Sequence, residues 1–275
     1  MRWQGGLTVA CCLVASGTLV AGQAGSGVVG GGLLVQDRGD PRIVRPIPRN
    51  HQGRVLLGGA SPDEKGVWLP GPGITAVPIK PIDQLPIQPW ARAMFAHRQV
   101  NEFEPHTRCK PSGVARQFQT PYGVEFVELP EQQRIYIFDI GGPHTYRTIY
   151  MDGRTHPRNV VPMPYGHSIG WWEGDTLVVE TTGFTEGFWM DRKGLPHTDR
   201  LRTVERFTRT EYDTIRYELT VDDPGAYTEV WTTAVVLRWE QNTELFEYIC
   251  QQSNYAPTLM VGEFERVDRT SSIVP

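Results

Sequence analysis

Gly166-His167-Ser168-Ile169-Gly170-Trp171-Trp172-Glu173-Gly174-Asp175-Thr176-Leu177-Val178-Val179-Glu180-Thr181-Thr182 reads as two extended runs folded about Glu173-Gly174-Asp175. Aromatic and β-branched residues fill both runs, which suits a pleated, half-buried surface. Gly174 can take the positive φ that a tight hairpin turn requires. The downstream run carries no helix signal, so this stretch predicts a β-hairpin.

The same rhythm extends in both directions. Short alternating runs at 124–129, 134–139, 145–151, 167–172, 176–182, 201–208, 214–221, 227–237 and 243–250 are separated by turn residues such as Asp152-Gly153, Asp222-Asp223-Pro224-Gly225 and Glu240-Gln241-Asn242. Nine candidate strands joined mostly by tight turns predict a mainly β fold, an antiparallel up-and-down barrel or curled sheet. An open sandwich is the alternative.

Upstream, P-I-Q-P-W-A-R-A-M-F-A-H-R-Q-V predicts one helix at about 88–101, with Pro89 in its first turn. Trp90, Ala93, Met94 and His97 recur at helical spacing and are expected to form its apolar face. Before it, residues 23–80 are rich in Gly and Pro and predict an extended arm. Lys65-Gly66-Val67-Trp68-Leu69-Pro70 is the expected docking point, because a lone Trp in a polar arm needs cover. Residues 81–275 are then the barrel domain.

At the N-terminus, Arg2 precedes an apolar run ending in small residues, with Val20-Ala21-Gly22 or Gly22-Gln23-Ala24 as a cleavage site. Residues 1–22 thus read as a signal peptide and the protein as periplasmic or secreted. A membrane anchor is the competing reading, but the run falls short of a span and lacks a basic stop flank, so no stable span is expected after cleavage. Export leaves Cys109 and Cys250 as an even pair where disulfides persist, and they are expected to be joined. Two separate buried thiols are the alternative.

Lys+Arg of 27 against Asp+Glu of 31 gives a net charge of −4 and no long basic run, which removes the electrostatic argument for nucleic acid. The expected partner is a small molecule, and the arm allows a homo-oligomer. No dinucleotide or phosphate-cradling loop is present, and no cofactor is expected. The histidine spacings match no metal scheme: there is no H-x-H and no H-E-x-x-H. Gly166-His167-Ser168-Ile169-Gly170 fits G-x-S-x-G, but that elbow requires a helix after the serine, and here a hairpin follows.

Strand parity then selects candidate site residues. Glu205 shares a face with Leu201, Thr203 and Phe207, opposite Arg202 and Arg206; Glu229 shares one with Tyr227, Trp231 and Thr233. Carboxylates facing a barrel interior are expensive unless paired or wetted. They either brace the wall through a neighbouring Arg or Tyr, or line a ligand cavity in which Tyr227 and Trp231 suit an aromatic or sugar-like guest. His156, His167 and His197 sit at strand ends or in loops, where barrels carry chemistry. A histidine beside a carboxylate is the ordinary acid–base pair, and His197 with Glu205 and His156 with Asp152 or Arg154 are the pairs to test. For each histidine alone, bracing a loop is the alternative role.

D-G-R-x-H-P at 152–157, G-x-S-x-G-x-W-E-G-D-T-L-V-V-E-T at 166–181, P-H-[ST]-[DE] at 196–199, E-R-F-x-R at 205–209, Asp223-Pro224 and G-V-W-L-P at 66–70 together resemble a large family of exported bacterial proteins of unassigned function. The resemblance covers most of the mature chain. It implies export and supplies no catalytic residue. The W-E-G-D-T-L-V-V hairpin is also similar to lipocalin-like barrels, an analogy of fold alone.

Two functions are therefore expected in competition. One is an exported lyase, isomerase or hydrolase using His156, His197, Glu205 and Arg206 in a barrel pocket, with Asp152, Arg154, His167, Trp171, Tyr227, Glu229 and Trp231 binding substrate. The other is a lipocalin-like carrier of an aromatic, terpenoid or sugar-like ligand. Convergence of His, Glu and Arg at one place would favour the enzyme.

Overall fold

In the computed structural model, residues 44–71, 80–120, 122–140, 145–247 and 250 are described. The signal-peptide reading at 1–22 lies outside them. Nine strands close a barrel in chain order: β1 Gly66–Pro70, β2 Val124–Leu129, β3 Arg134–Asp139, β4 Thr145–Tyr150, β5 His167–Glu173, β6 Thr176–Thr182, β7 Arg202–Glu211, β8 Thr214–Asp222 and β9 Trp231–Gln241.

Strict up-and-down alternation around a ring needs an even number of strands, so nine strands force one parallel joint. It lies between β4 and β5, where only Ile149↔Ser168 and Tyr150↔Ile169 are in register. Every other neighbouring pair is antiparallel. Because β5 must start again at the end where β4 began, residues 151–166 have to travel back along the wall. That return loop carries D-G-R-x-H-P.

Most expected strands are present with boundaries within a few residues, and Gly174 has φ +58° at the β5–β6 turn. The ninth strand is a correction. It is Gly66–Pro70, taken from the Gly/Pro-rich arm, and 243–247 forms no strand. Trp68 does dock as expected: it is buried, its Nε1 donates to the Leu57 carbonyl at 2.6 Å, and it packs on Trp239. Arg209 closes the same end by donating to the Leu56 and Gly58 carbonyls.

α1, Pro89–Asn101, forms as expected, but its inward face is set by Ala91, Phe95 and Arg98. Trp90 and His97 are exposed, and Trp90 Nε1 instead reaches the Gly225 carbonyl. α2, Gly113–Gln117, is buried along its whole length. The next residue, Phe118, packs at a tilt against Phe207 and Tyr217, which point inward from β7 and β8. α2 and Phe118 thus plug the barrel, and Phe118, Phe126, Phe207 and Tyr217 form an aromatic layer across it.

Cys109 and Cys250 are joined, closing 141 residues of chain and tying the segment before α2 to the chain beyond β9. No helix among the described residues is long and apolar enough to cross a membrane.

Candidate active site

The return loop lays its histidine against the first residue of β5. His156 Nδ1 and His167 Nδ1 are 2.8 Å apart. On the far side of His156, Nε2 faces Glu180 Oε1 at 3.4 Å. Glu180 points outward from β6, where its Cα partner is Ile169, two residues along from His167 on the same face. Arg202 holds the other oxygen of Glu180 and reaches toward Asp222. The Tyr150 ring stacks on His167 with centroids 5.1 Å apart, and the Arg154 guanidinium, clamped by Asp152, lies 4.0 Å from the centre of that tyrosine ring.

Proton bookkeeping orders this array. Only one hydrogen can lie between the two Nδ1 atoms. A carboxylate facing His156 Nε2 favours a proton there, which leaves His156 Nδ1 as the acceptor and His167 Nδ1–H as the donor. His167 Nε2 is then a bare lone pair. The approach to Glu180 is not a hydrogen bond in this geometry, so the carboxylate acts on His156 as a nearby charge. Burial lowers the pKa of both histidines, partly opposed by Glu180 at His156 and reinforced by His156 and Arg154 at His167. Both rings are therefore neutral at pH 7, as a base requires. Arg154 holds the Asp152 carboxyl down at about 2, so it stays ionised.

Two histidines bound to one tetrahedral zinc would hold their ligating nitrogens about 3.3 Å apart, from metal–nitrogen bonds of about 2.0–2.1 Å. The 2.8 Å approach of His156 and His167 is that of a shared proton. Among the described residues no group of three or more His, Cys, Asp or Glu is placed to hold a metal.

The structure thus brings together His156, His167, Asp152 and Arg154 and adds Tyr150, Glu180 and Arg202, which parity arguments aimed at the interior overlooked. The β5–β6 turn does place Glu180 on the outer face near His167, so that signal was in the sequence. The array lies on the outer wall, not in a barrel pocket.

The remaining candidates are elsewhere. His197 is buried, with Nδ1 facing the Thr198 carbonyl and Nε2 the Phe188 carbonyl, each at 3.1 Å. It braces the 188–198 loop, and Glu205 has other partners. Glu205 does face inward as parity required: its Oε2 is 2.8 Å from Arg147 Nη2, and Tyr217 donates to its Oε1 at 3.0 Å. Arg206 points outward and pairs with Glu173, which also accepts from Trp171 Nε1. Trp171 and Glu173 lie four and six residues along β5 from His167, about 13–20 Å by strand rise. Tyr227 is buried and donates to the Pro196 carbonyl, while Glu229 is exposed in the turn before β9; of that run Trp231 and Thr233 face the interior. Ser168 of the G-x-S-x-G match is buried and bonded to Thr181.

A separate cleft of about 770 Å³ opens where β1 and β2 part after their single pairing at Trp68↔Val124. Glu64, Glu125, Glu128 and Glu244 line it, and no histidine does. No family model, curated protein or solved structure matches the chain.

Proposed function

We propose that this protein is an exported acid–base enzyme whose working base is His167, acting on a small carbohydrate-like or aromatic compound. The observation that carries the reading is the alignment of Glu180, His156 and His167, with a 2.8 Å Nδ1···Nδ1 contact at its centre. When His167 Nε2 takes a proton, its Nδ1–H is already held by His156. The developing charge is shared with His156 and, through it, met by Glu180. The Tyr150 ring fixes the plane of His167, and Arg154 beside it supplies positive charge for an oxygen that becomes negative.

The array contains a base and no activated nucleophile, since Ser168 is committed to Thr181. It therefore supports proton abstraction, the first step of lyase and isomerase chemistry, over covalent hydrolysis. Export is supported by the leader-like sequence at 1–22 and by the Cys109–Cys250 bridge.

The test is exchange of carbon-bound hydrogen for solvent deuterium, followed by NMR across hydroxycarbonyl sugars and aromatic carbonyl compounds in D2O. Wild-type protein is expected to catalyse exchange in at least one compound. His167→Gln should lower the rate about 100-fold or more, and Glu180→Gln about 10-fold. Exchange that survives unchanged in His167→Gln removes His167 as the base and the proposal with it.

A further inference from the structure

The barrel interior holds a second polar constellation that the outer array does not use. Thr203 and Glu205 of β7 face inward at the same levels as Trp231 and Thr233 of β9, two strands away, because Thr203↔Val221↔Trp231 and Glu205↔Leu219↔Thr233 align across β8. Arg147 reaches Glu205 from β4. Gln117, on the buried helix α2, precedes the Phe118 that packs on Phe207 and Tyr217, the next inward residues below Glu205 and Leu219. All of these side chains are more than nine-tenths buried.

Their polar atoms are largely without protein partners. Arg147 Nε and Nη1, both amide atoms of Gln117, the hydroxyls of Thr203 and Thr233, and Trp231 Nε1 make no hydrogen bond among the described residues. Orphaned buried groups are costly, and native interiors satisfy nearly all of them. Those on β7 and β9, with Arg147 beside Glu205, lie on one side of the Phe207–Tyr217 level, and Gln117 adjoins Phe118 on α2. Their charges fix the class of guest. Arg147 and Glu205 cancel, so a guest bearing net charge would be buried without a counterion. The unmet groups include donors at Arg147, Gln117 and Trp231, an acceptor at Gln117, and hydroxyls that serve either way. Hydroxyl groups on the guest could answer all of them, with its carbons resting on Phe118 and Tyr217.

We propose that this girdle, between α2 and the inner faces of β4, β7 and β9, is a binding site for a small uncharged polyol. It is independent of the outer acid–base array, and its occupation does not require that array to be catalytic.

Erythritol serves as the probe, because general stabilisation by polyols makes melting temperature a poor readout. The indole N–H resonance of Trp231, assigned with Trp231→Phe, is followed during titration, and erythritol-soaked crystals are refined in parallel. The expected result is a saturable shift of that resonance, with guest density against Arg147 and Gln117. Thr233→Val and Gln117→Leu should each weaken the apparent affinity about 10-fold. Wild-type protein decides the question alone if either variant misfolds. The proposal is overturned if ordered water alone satisfies these atoms and the Trp231 resonance only drifts linearly, or if acetate saturates the shift and erythritol does not.

Discussion

Replacing Glu205 by Gln should be among the most damaging single substitutions in the barrel wall. Glu205 and Arg147 are fully desolvated and lie 2.8 Å apart. At an effective dielectric of about 20 that separation corresponds to about 6 kcal/mol of attraction, and measured losses on breaking buried pairs are about 3–5 kcal/mol. An arginine cannot shed its proton to escape burial, so the cost falls mostly on Glu205→Gln. Arg147→Met should cost less at low pH. Burial already raises the Glu205 pKa against the pull of Arg147, and without that arginine the carboxyl can stay protonated. A carboxyl raised in the native state keeps its contribution below its unfolded value near 4.5 and loses it as pH climbs, so the Arg147→Met deficit grows from pH 5 to pH 8. The double variant Arg147→Met/Glu205→Leu should recover to within about 2 kcal/mol of wild type, short of full recovery because Tyr217 loses its acceptor. Equilibrium urea unfolding reads this directly: with a slope of about 3 kcal/mol/M, the Glu205→Gln midpoint moves down by about 1–1.7 M. Equal losses in both single variants and the double, or a Glu205→Gln loss below about 1 kcal/mol, would refute the argument that these charges are buried as a pair.

Three further outcomes follow from the same structure. Burial depresses the pKa of His156, His167 and His197, so below about pH 6.5 the unfolded chain takes up protons that the native one refuses; stability should fall from there downward, and His197→Phe should shallow the slope of a pH-dependent urea series. Removing the disulfide with Cys109→Ser/Cys250→Ser should lower stability by about 2–5 kcal/mol, read from the urea midpoint, given the 141 residues it spans. Gly113→Ala should cost about 2–4 kcal/mol and loosen the α2 plug, seen as faster amide exchange in 113–118, because φ is +70° and a Cβ would meet the Phe188 ring at 2.3 Å.

Much of the barrel was legible because its turns are written in residues with strong local preferences. Gly174 and the acidic residues about it read as a hairpin from three positions, and parity alone places Glu205 inside the barrel. β1 was not legible: five residues flanked by Gly and Pro carry an arm's composition, and they become a strand only because β9 and Val124 offer edges. Conversely 243–247 had a strand's composition, but the chain turns at Asn242, φ +57°, and leaves the sheet. The parity of β9 does not carry back to Glu229, because the chain bends before Trp231 and breaks it. The face of α1 was misread because Trp90 finds a backbone acceptor at the surface and Arg98 reaches inward to the Gly194 carbonyl. The His156–His167 contact depends on how a return loop settles over a parallel joint. No local periodicity encodes that, although the odd strand number, once known, requires such a joint somewhere.

A pH titration of the imidazole nitrogens by 15N NMR, with His156 and His167 assigned by substitution, tests the poised base most directly. Two neutral rings are expected at pH 7, with the His156 proton on Nε2 and the His167 proton on Nδ1, titrating together below pH 6.5. Replacing Glu180 by Gln should move the His156 proton population off Nε2. If His167 instead carries its proton on Nε2, or the two rings titrate independently at ordinary values, there is no poised base on the outer wall and the acid–base account is wrong.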